Sequence, residues 1–215
     1  MSQKFQNDEI DELDDIFEEV DLGPSRIKEP GLNPFKELAN LALYIVLILS
    51  ITFLLVNYVA QRTVVDGSSM NDTLEDGDSL FIDKLSYRFS EPERYDIVVF
   101  DYMYKLDTHY VKRIIALPGE TVQIKDGIIY VDKKDGNGLQ PLDDDIYGNA
   151  EIAEAHYGLA SDPIVVGQDE YFVMGDNRNN SHDSRKADVG LVSKDQIVGK
   201  VVLRIWPLST VKWFG

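Results

Sequence analysis

The chain has 215 residues, a formal net charge of −17 and no cysteine. A charge this negative argues against nucleic-acid binding, because phosphate recognition depends on lysine and arginine. The lack of cysteine excludes disulfides, thiol nucleophiles and cysteine-ligated zinc or iron–sulfur sites. The length suits one medium domain with appendages, and the 44% hydrophobic content supports a packed core.

Residues 1–35 form a strongly acidic segment. Ten acidic residues stand there against Lys4, Arg26 and Lys28. Apolar residues recur among the acids at nearly helical spacing, and three prolines follow. We predict a solvated acidic tail and linker, with a helix that docks onto a partner as the alternative.

Residues 41–60, LALYIVLILSITFLLVNYVA, contain no charged residue. About 20 helical residues cross a bilayer core of ~30 Å, whereas a buried helix of this length would show a polar face. A cleavable leader is disfavoured, because Tyr58-Val59-Ala60 does not place small residues at both recognition positions. We predict an uncleaved transmembrane helix over residues 36–60.

Basic residues flank this span unequally. Arg26, Lys28 and Lys36 precede it closely, whereas only Arg62 follows it closely. The positive-inside rule then keeps the N-terminus in the cytoplasm and exports residues 61–215. The expected location is the cell membrane, crossed once, with an extracytoplasmic domain.

After the span, short β-like runs alternate with turn residues. The predicted strands are 79–83, 97–102, 110–117, 121–124, 128–131, 170–174 and 197–206. Lys125-Asp126-Gly127 predicts a hairpin turn. Residues 132–148 read as a loop excursion and lack the ligand spacing of a helix–loop–helix calcium site. We predict an all-β fold, with one mainly antiparallel β domain over residues 61–215.

Two segments carry residue types suited to nucleophilic catalysis. Gly67, two residues before Ser69, allows a tight turn and close substrate approach, although a surface turn looks the same. Strand alternation places Lys112 on one face with Tyr110 and Ile114. If that face is buried, desolvation lowers the pKa of the lysine, and the neutral amine can accept a serine proton. The alternative is that Lys112 faces solvent.

A third segment, GDNRNNSHDSR at 175–185, reads as a polar loop whose charged side chains could pair with one another. In chain order, VDGSSMNDTL (65–74), RYDIVVF (94–100), YVKRIIALPGE (110–120) and this loop resemble four motifs of the type I signal peptidases. VGKVVLRIWPL (198–208) is also similar. The resemblance runs from about residue 40 to the end, in the compact form of Gram-positive bacteria.

The resemblance implies a membrane-anchored serine endopeptidase that removes N-terminal signal peptides from exported pre-proteins at Ala-x-Ala-like sites. It implies Ser69 as nucleophile and backbone oxyanion donor, and Lys112 as general base. The other site residues that it implies are the lysine-orienting Ser181, the supporting ion pair Asp183 and Arg185, and the substrate-binding Met70 and Tyr110. No metal or other cofactor is implied.

The expected partners are signal-peptide-bearing pre-proteins and the lipid bilayer, not nucleic acid, and the resemblance allows association with the secretion machinery. The chain departs from the family at two positions. Asp72 stands where many members have proline. Gly67 stands where some have a serine that donates to the oxyanion hole, so the second oxyanion donor is unassigned.

Histidine is the usual base for serine, and His182 lies in the last motif and could approach the site, but the family has varied residues at this position. No pair among His109, His156 and His182 shows metal-ligand spacing. A self-cleaving protease of the repressor type has a related β fold, yet would carry a DNA-binding module instead of a membrane span. An inactive anchored scaffold would not need Ser69 and Lys112.

Overall fold

The computed structural model describes residues 34–54, 60–148 and 150–214. They comprise one long helix, α1 (Pro34–Leu54), and a β domain. The predicted acidic tail lies outside the described residues, except for its last two positions, Pro34 and Phe35.

Helix α1 has 21 residues, none of them buried, and a mean hydropathy of 2.1 over its most apolar window. By length and composition it can cross a membrane. The sequence predicts that the span continues to residue 60. Residues 55–59 lie outside the described part, and Ala60 is the first residue of a strand.

Twelve strands occur in the described part of the chain. They are β1 (Ala60–Val64), β2 (Ser79–Asp83), β3 (Ile97–Asp101), β4 (His109–Ala116), β5 (Thr121–Lys125), β6 (Ile128–Asp132), β7 (Gln140–Pro141), β8 (Ile164–Val165), β9 (Glu170–Met174), β10 (Val192–Ser193), β11 (Ile197–Trp206) and β12 (Lys212–Trp213). All seven predicted strands are present, and β2, β9 and β11 have the predicted bounds.

The strands form two sheets in which every pairing is antiparallel. The eight-stranded sheet has the order β1-β2-β11-β3-β4-β9-β10, with β12 paired to β11, and the four-stranded sheet has the order β7-β6-β5-β8. The all-β, mainly antiparallel prediction is therefore confirmed. Strand β4 lies between β3 and β9, and Lys112 is paired with Val98.

The hairpin between β5 and β6 has the predicted turn. Asp126 and Gly127 have φ angles of 50° and 77°, the left-handed backbone that two-residue hairpins require. Residues 132–148, predicted as a loop excursion, also contain the short strand β7, which pairs with β6.

Three apolar clusters form the core of the β domain, and one lies under the segment between β1 and β2. In that cluster Met70 and Leu74 pack with Leu80, Ile82 and Val201. Met70 is 1% exposed and Leu74 is fully buried. Burying a side chain of this size contributes about 1.5–3 kcal/mol, so these two residues anchor the segment to the sheet.

Candidate active site

Ser69 lies in the turn segment that follows β1. Gly67 has a φ of +102°, which favours glycine, and its N–H donates to Asp76 Oδ1 at 2.8 Å. After the serine, Leu74 N–H donates to the Met70 carbonyl at 2.8 Å, and both side chains are buried. The turn therefore fixes the backbone of Ser69, while the residue itself stays only half-buried.

Lys112 reaches Ser69 from the middle of β4. Its Nζ donates to Ser69 Oγ at 2.7 Å and to the Val111 carbonyl at 2.8 Å. The residue is only 3% exposed, so the alternative in which it faces solvent is excluded. Burial lowers the pKa of the amine to about 8, against the opposing influence of the Asp183 and Asp176 charges.

Two buried ion pairs surround this lysine. Asp176 accepts two bonds from Arg113, at 2.9 Å and 2.7 Å, and Asp183 accepts two from Arg185, at 2.8 Å each. Burial raises the pKa of Asp183, but the hydrogen bonds and charge of Arg185 outweigh it, and the pKa is lowered overall. Asp183 is therefore ionised, and it also accepts a bond from Gly175 N–H at 3.1 Å.

The structure does not contain the lysine-orienting bond that the family resemblance implies for Ser181. The Ser181 hydroxyl oxygen is buried and interacts with the Asp183 carboxylate, whose pKa it lowers, and not with the amine of Lys112. The hydrogen bonds of the Lys112 amine go to Ser69 Oγ and the Val111 carbonyl instead.

Asn177, which the sequence analysis did not single out, holds the backbone at Ser68 and Ser69. Its N–H donates to the Ser69 carbonyl and its Nδ2 to the Ser68 carbonyl, each at 3.1 Å. In a trans peptide the carbonyl and the following N–H point in opposite directions. A bond to the Ser68 carbonyl therefore fixes the direction of Ser69 N–H, which donates to no group in the described part of the chain.

Ser69 and Lys112 line a cavity of about 240 Å³. Met70 and Tyr110, the two residues implied in substrate binding, line it as well. A larger cavity of about 740 Å³, whose lining includes Phe81, contains neither the serine nor the lysine. The smaller cavity is therefore the candidate active site, and it has the arrangement of a serine hydrolase in which an amine faces the hydroxyl.

Residues 38–206 match the protein family Signal peptidase, peptidase S26. Probable signal peptidase I-2 of Synechocystis sp. (strain ATCC 27184 / PCC 6803 / Kazusa) is 38% identical over 159 residues, which cover 72% of this chain and 66% of that protein. Signal peptidase I of Bacillus licheniformis is 35% identical over 188 residues, which cover 86% of this chain and 97% of that protein. A crystal structure of a signal peptidase I from Enterococcus faecalis V583 is 30% identical and has a TM-score of 0.41, covering 53% of this chain and 98% of that chain.

The chain belongs to the signal peptidase family, peptidase S26. It is thus a serine protease, of the group that removes signal peptides. The matched range contains the four motifs on which the resemblance was based and most of the similar segment at 198–208, so the family prediction is confirmed.

Proposed function

We propose that this chain is a membrane-anchored endopeptidase that removes signal peptides from exported precursors by a Ser–Lys dyad. Ser69 is the nucleophile and Lys112 the general base. The observation that carries this proposal is the 2.7 Å hydrogen bond between Lys112 Nζ and Ser69 Oγ, made by a buried amine whose pKa is lowered to about 8.

In the acylation step, the neutral Lys112 amine takes the Ser69 hydroxyl proton while Oγ attacks the scissile carbonyl. The free Ser69 N–H, directed by Asn177, stabilises the oxyanion. The tetrahedral intermediate collapses when the ammonium gives its proton to the leaving amine. This releases the mature protein and leaves the signal peptide esterified to Ser69.

In the deacylation step, Lys112 is neutral again and takes a proton from water, which attacks the ester carbonyl. Collapse of the second intermediate returns the proton to Ser69 Oγ and releases the signal peptide. The ion pairs of Asp183 with Arg185 and of Asp176 with Arg113 support the amine without contacting it.

We extend the proposal to substrate selection. Met70 and Tyr110 line the 240 Å³ cavity beside the dyad, and the family resemblance implies that small side chains bind there. Precursors with alanine one and three positions before the cut are the expected substrates. Replacing either alanine with leucine should prevent cleavage, whereas replacing the residue between them should not.

The dyad is tested with the detergent-solubilised full chain and a precursor that has an Ala-x-Ala site. Wild type and the Lys125→Ala control, which changes an exposed lysine at the end of β5, should cleave it. Ser69→Ala and Lys112→Ala should lose nearly all activity, because nucleophile and base act as a unit. Activity that survives both substitutions would refute the mechanism. An inactive wild type would favour the alternative that the chain is a catalytically inactive anchored scaffold.

The proposed organisation is a cytoplasmic acidic tail, a membrane span that includes α1 (Pro34–Leu54), and an extracytoplasmic catalytic domain that begins at β1 (Ala60–Val64). Since the chain has no cysteine, single cysteines report on topology without background. In intact cells a membrane-impermeant maleimide should label Lys133→Cys, which is exposed in the β domain. It should label Ser2→Cys only after lysis, and the opposite pattern would reverse the proposed orientation.

A further inference from the structure

Asp188, in the loop that follows the last motif, is bonded to two side chains from different parts of the chain. Its Oδ2 accepts a hydrogen bond from the Tyr102 hydroxyl at 2.7 Å and lies 2.7 Å from His182 Nε2. The bonds from Tyr102 and His182 lower the pKa of Asp188, which is therefore a carboxylate. The same bond raises the pKa of Tyr102 to about 12, so its hydroxyl remains a donor.

The two rings that Asp188 holds pack against a third ring. Tyr102 stacks on Tyr110, with ring centroids 4.8 Å apart and planes 23° apart. His182 meets the same ring at 6.0 Å and 72°, an edge-on contact. Both are favourable aromatic geometries. Tyr110 therefore packs against two rings whose side chains share one carboxylate oxygen, in addition to its T-shaped contact with the buried Phe100.

Tyr110 is also a wall of the active site. It lines the cavity that contains Ser69 and Lys112, as does His182, and its ring centroid lies 5.2 Å from Lys112 Nζ. A ring that could turn would change the room available to a substrate side chain beside the dyad. The groups that prevent this rotation thus limit the size of that side chain.

We propose that Asp188 is a positioning residue for substrate specificity, which holds Tyr102 and His182 against Tyr110 and so keeps the cavity narrow. The inference rests on the proposed signal-peptide cleavage, but it concerns discrimination between substrates and not the chemistry. Asp188 and His182 are each close to half-exposed, so truncating either leaves no buried charge without a partner.

The test compares two precursors, with alanine or valine one position before the cut, on the full chain in detergent. Asp188→Ala should reduce the ratio of kcat/KM for the alanine precursor to kcat/KM for the valine precursor about tenfold. Discrimination between side chains that differ by one or two methyl groups has this scale. Asp188→Asn, which keeps the shape and one acceptor oxygen, should restore most of the ratio. The matched control is Asp162→Ala, an exposed aspartate away from the cavity, which should leave the ratio unchanged.

A purely structural role for Asp188 predicts a different result, in which both precursors lose activity equally and the unfolding temperature falls. That result would overturn the proposal, as would an unchanged ratio in Asp188→Ala. Tyr102→Phe and His182→Ala provide a second measurement. Each should reproduce part of the change, and neither should add to it in the Asp188→Ala background, because residues that act through one contact are not additive.

The proposed function can fail separately in the same assay. If Ser69→Ala cleaves the alanine precursor, or if wild type fails to cleave it, the function and the specificity proposal are both refuted. If wild type alone cleaves this precursor and the ratio does not respond to Asp188→Ala, the function stands and only the role of Asp188 is lost.

Discussion

A β-carbon added at Gly175 would lie 2.4 Å from the Ser181 hydroxyl oxygen, closer than real atoms approach. It would also lie 2.3 Å from the Ser69 carbonyl oxygen. At Gly175 the polar loop therefore passes the Ser69 backbone with room for a hydrogen atom only. Close backbone approach is a reason for glycine that sequence pattern alone does not reveal.

Gly175→Ala should accordingly push the Ser69 turn away from Lys112. We expect kcat/KM to fall by about 100-fold or more, since small displacements of reacting groups cost this much. The comparison is Gly136→Asn, at a positive φ that asparagine tolerates and with open space around it. Near-wild-type activity of Gly175→Ala would show that the two segments can separate without harm.

The pH dependence of cleavage should report the Lys112 amine. Below its pKa of about 8 the amine is protonated and cannot accept the Ser69 proton, so kcat/KM should rise about tenfold per pH unit and level off above about pH 8. Profiles measured with wild type in detergent test this. A rate that is flat between pH 6 and 9 would contradict the assignment of Lys112 as the base.

Lys112→Met should be inactive but more stable than wild type near neutral pH. The pKa of Lys112 is lowered from 10.5 to about 8 by folding, so between these pH values folding releases a proton, and below pH 8 the folded protein contains a buried ammonium. This penalty is about 3 kcal/mol, present in full below pH 8 and lost as the pH rises to 10.5. Chemical unfolding of both proteins in detergent should show the stability difference at pH 7 and its decrease toward pH 10.5. A variant that is less stable at pH 7 would contradict the burial penalty.

Asn177→Ala should reduce kcat with little change in KM, because the Ser68 carbonyl loses the bond that directs Ser69 N–H. A loss of about tenfold is expected, less than for removal of an oxyanion donor itself. Asn179→Ala is the matched control, since within the described residues the Asn179 side chain bonds only to the backbone of Glu151 and Ala153. Equal losses in the two variants would point to a general effect on the loop.

The long strands could be predicted from sequence because apolar runs are bounded by turn residues, as in β2, β9 and β11. Five strands could not be predicted from the sequence, for two different reasons. β7, β8, β10 and β12 have two residues each, too few for any periodicity, and exist only because a partner strand pairs with them. β1 directly follows the apolar run of the predicted span, so its sequence looks like the polar segment that flanks a membrane helix and not like a strand.

The sequence predicts Lys112 as a base only on the condition that its face of β4 is buried, and pattern alone leaves both faces possible. The fold settles this, because Lys112 is itself buried, as is Arg113 on the opposite face of the strand. Asn177 and Asp188 could not be assigned, since their importance arises from partners that are distant in sequence, such as Ser68 and Tyr102. Asparagine and aspartate in a polar loop otherwise indicate only solvation.

Arg113 and Arg185 bear on catalysis by engaging the acids nearest to the lysine. Asp176 and Asp183 each raise the pKa of the Lys112 amine, but both direct their oxygens to a guanidinium in two-point contacts, and the Arg185 charge itself lowers that pKa. Among the described residues, no carboxylate therefore forms an ion pair with the Lys112 amine. Each arginine binds a carboxylate that could otherwise pair with the lysine. Of the adjacent residues Lys112 and Arg113, the arginine therefore stays charged in its ion pair, whereas the lysine can lose its proton.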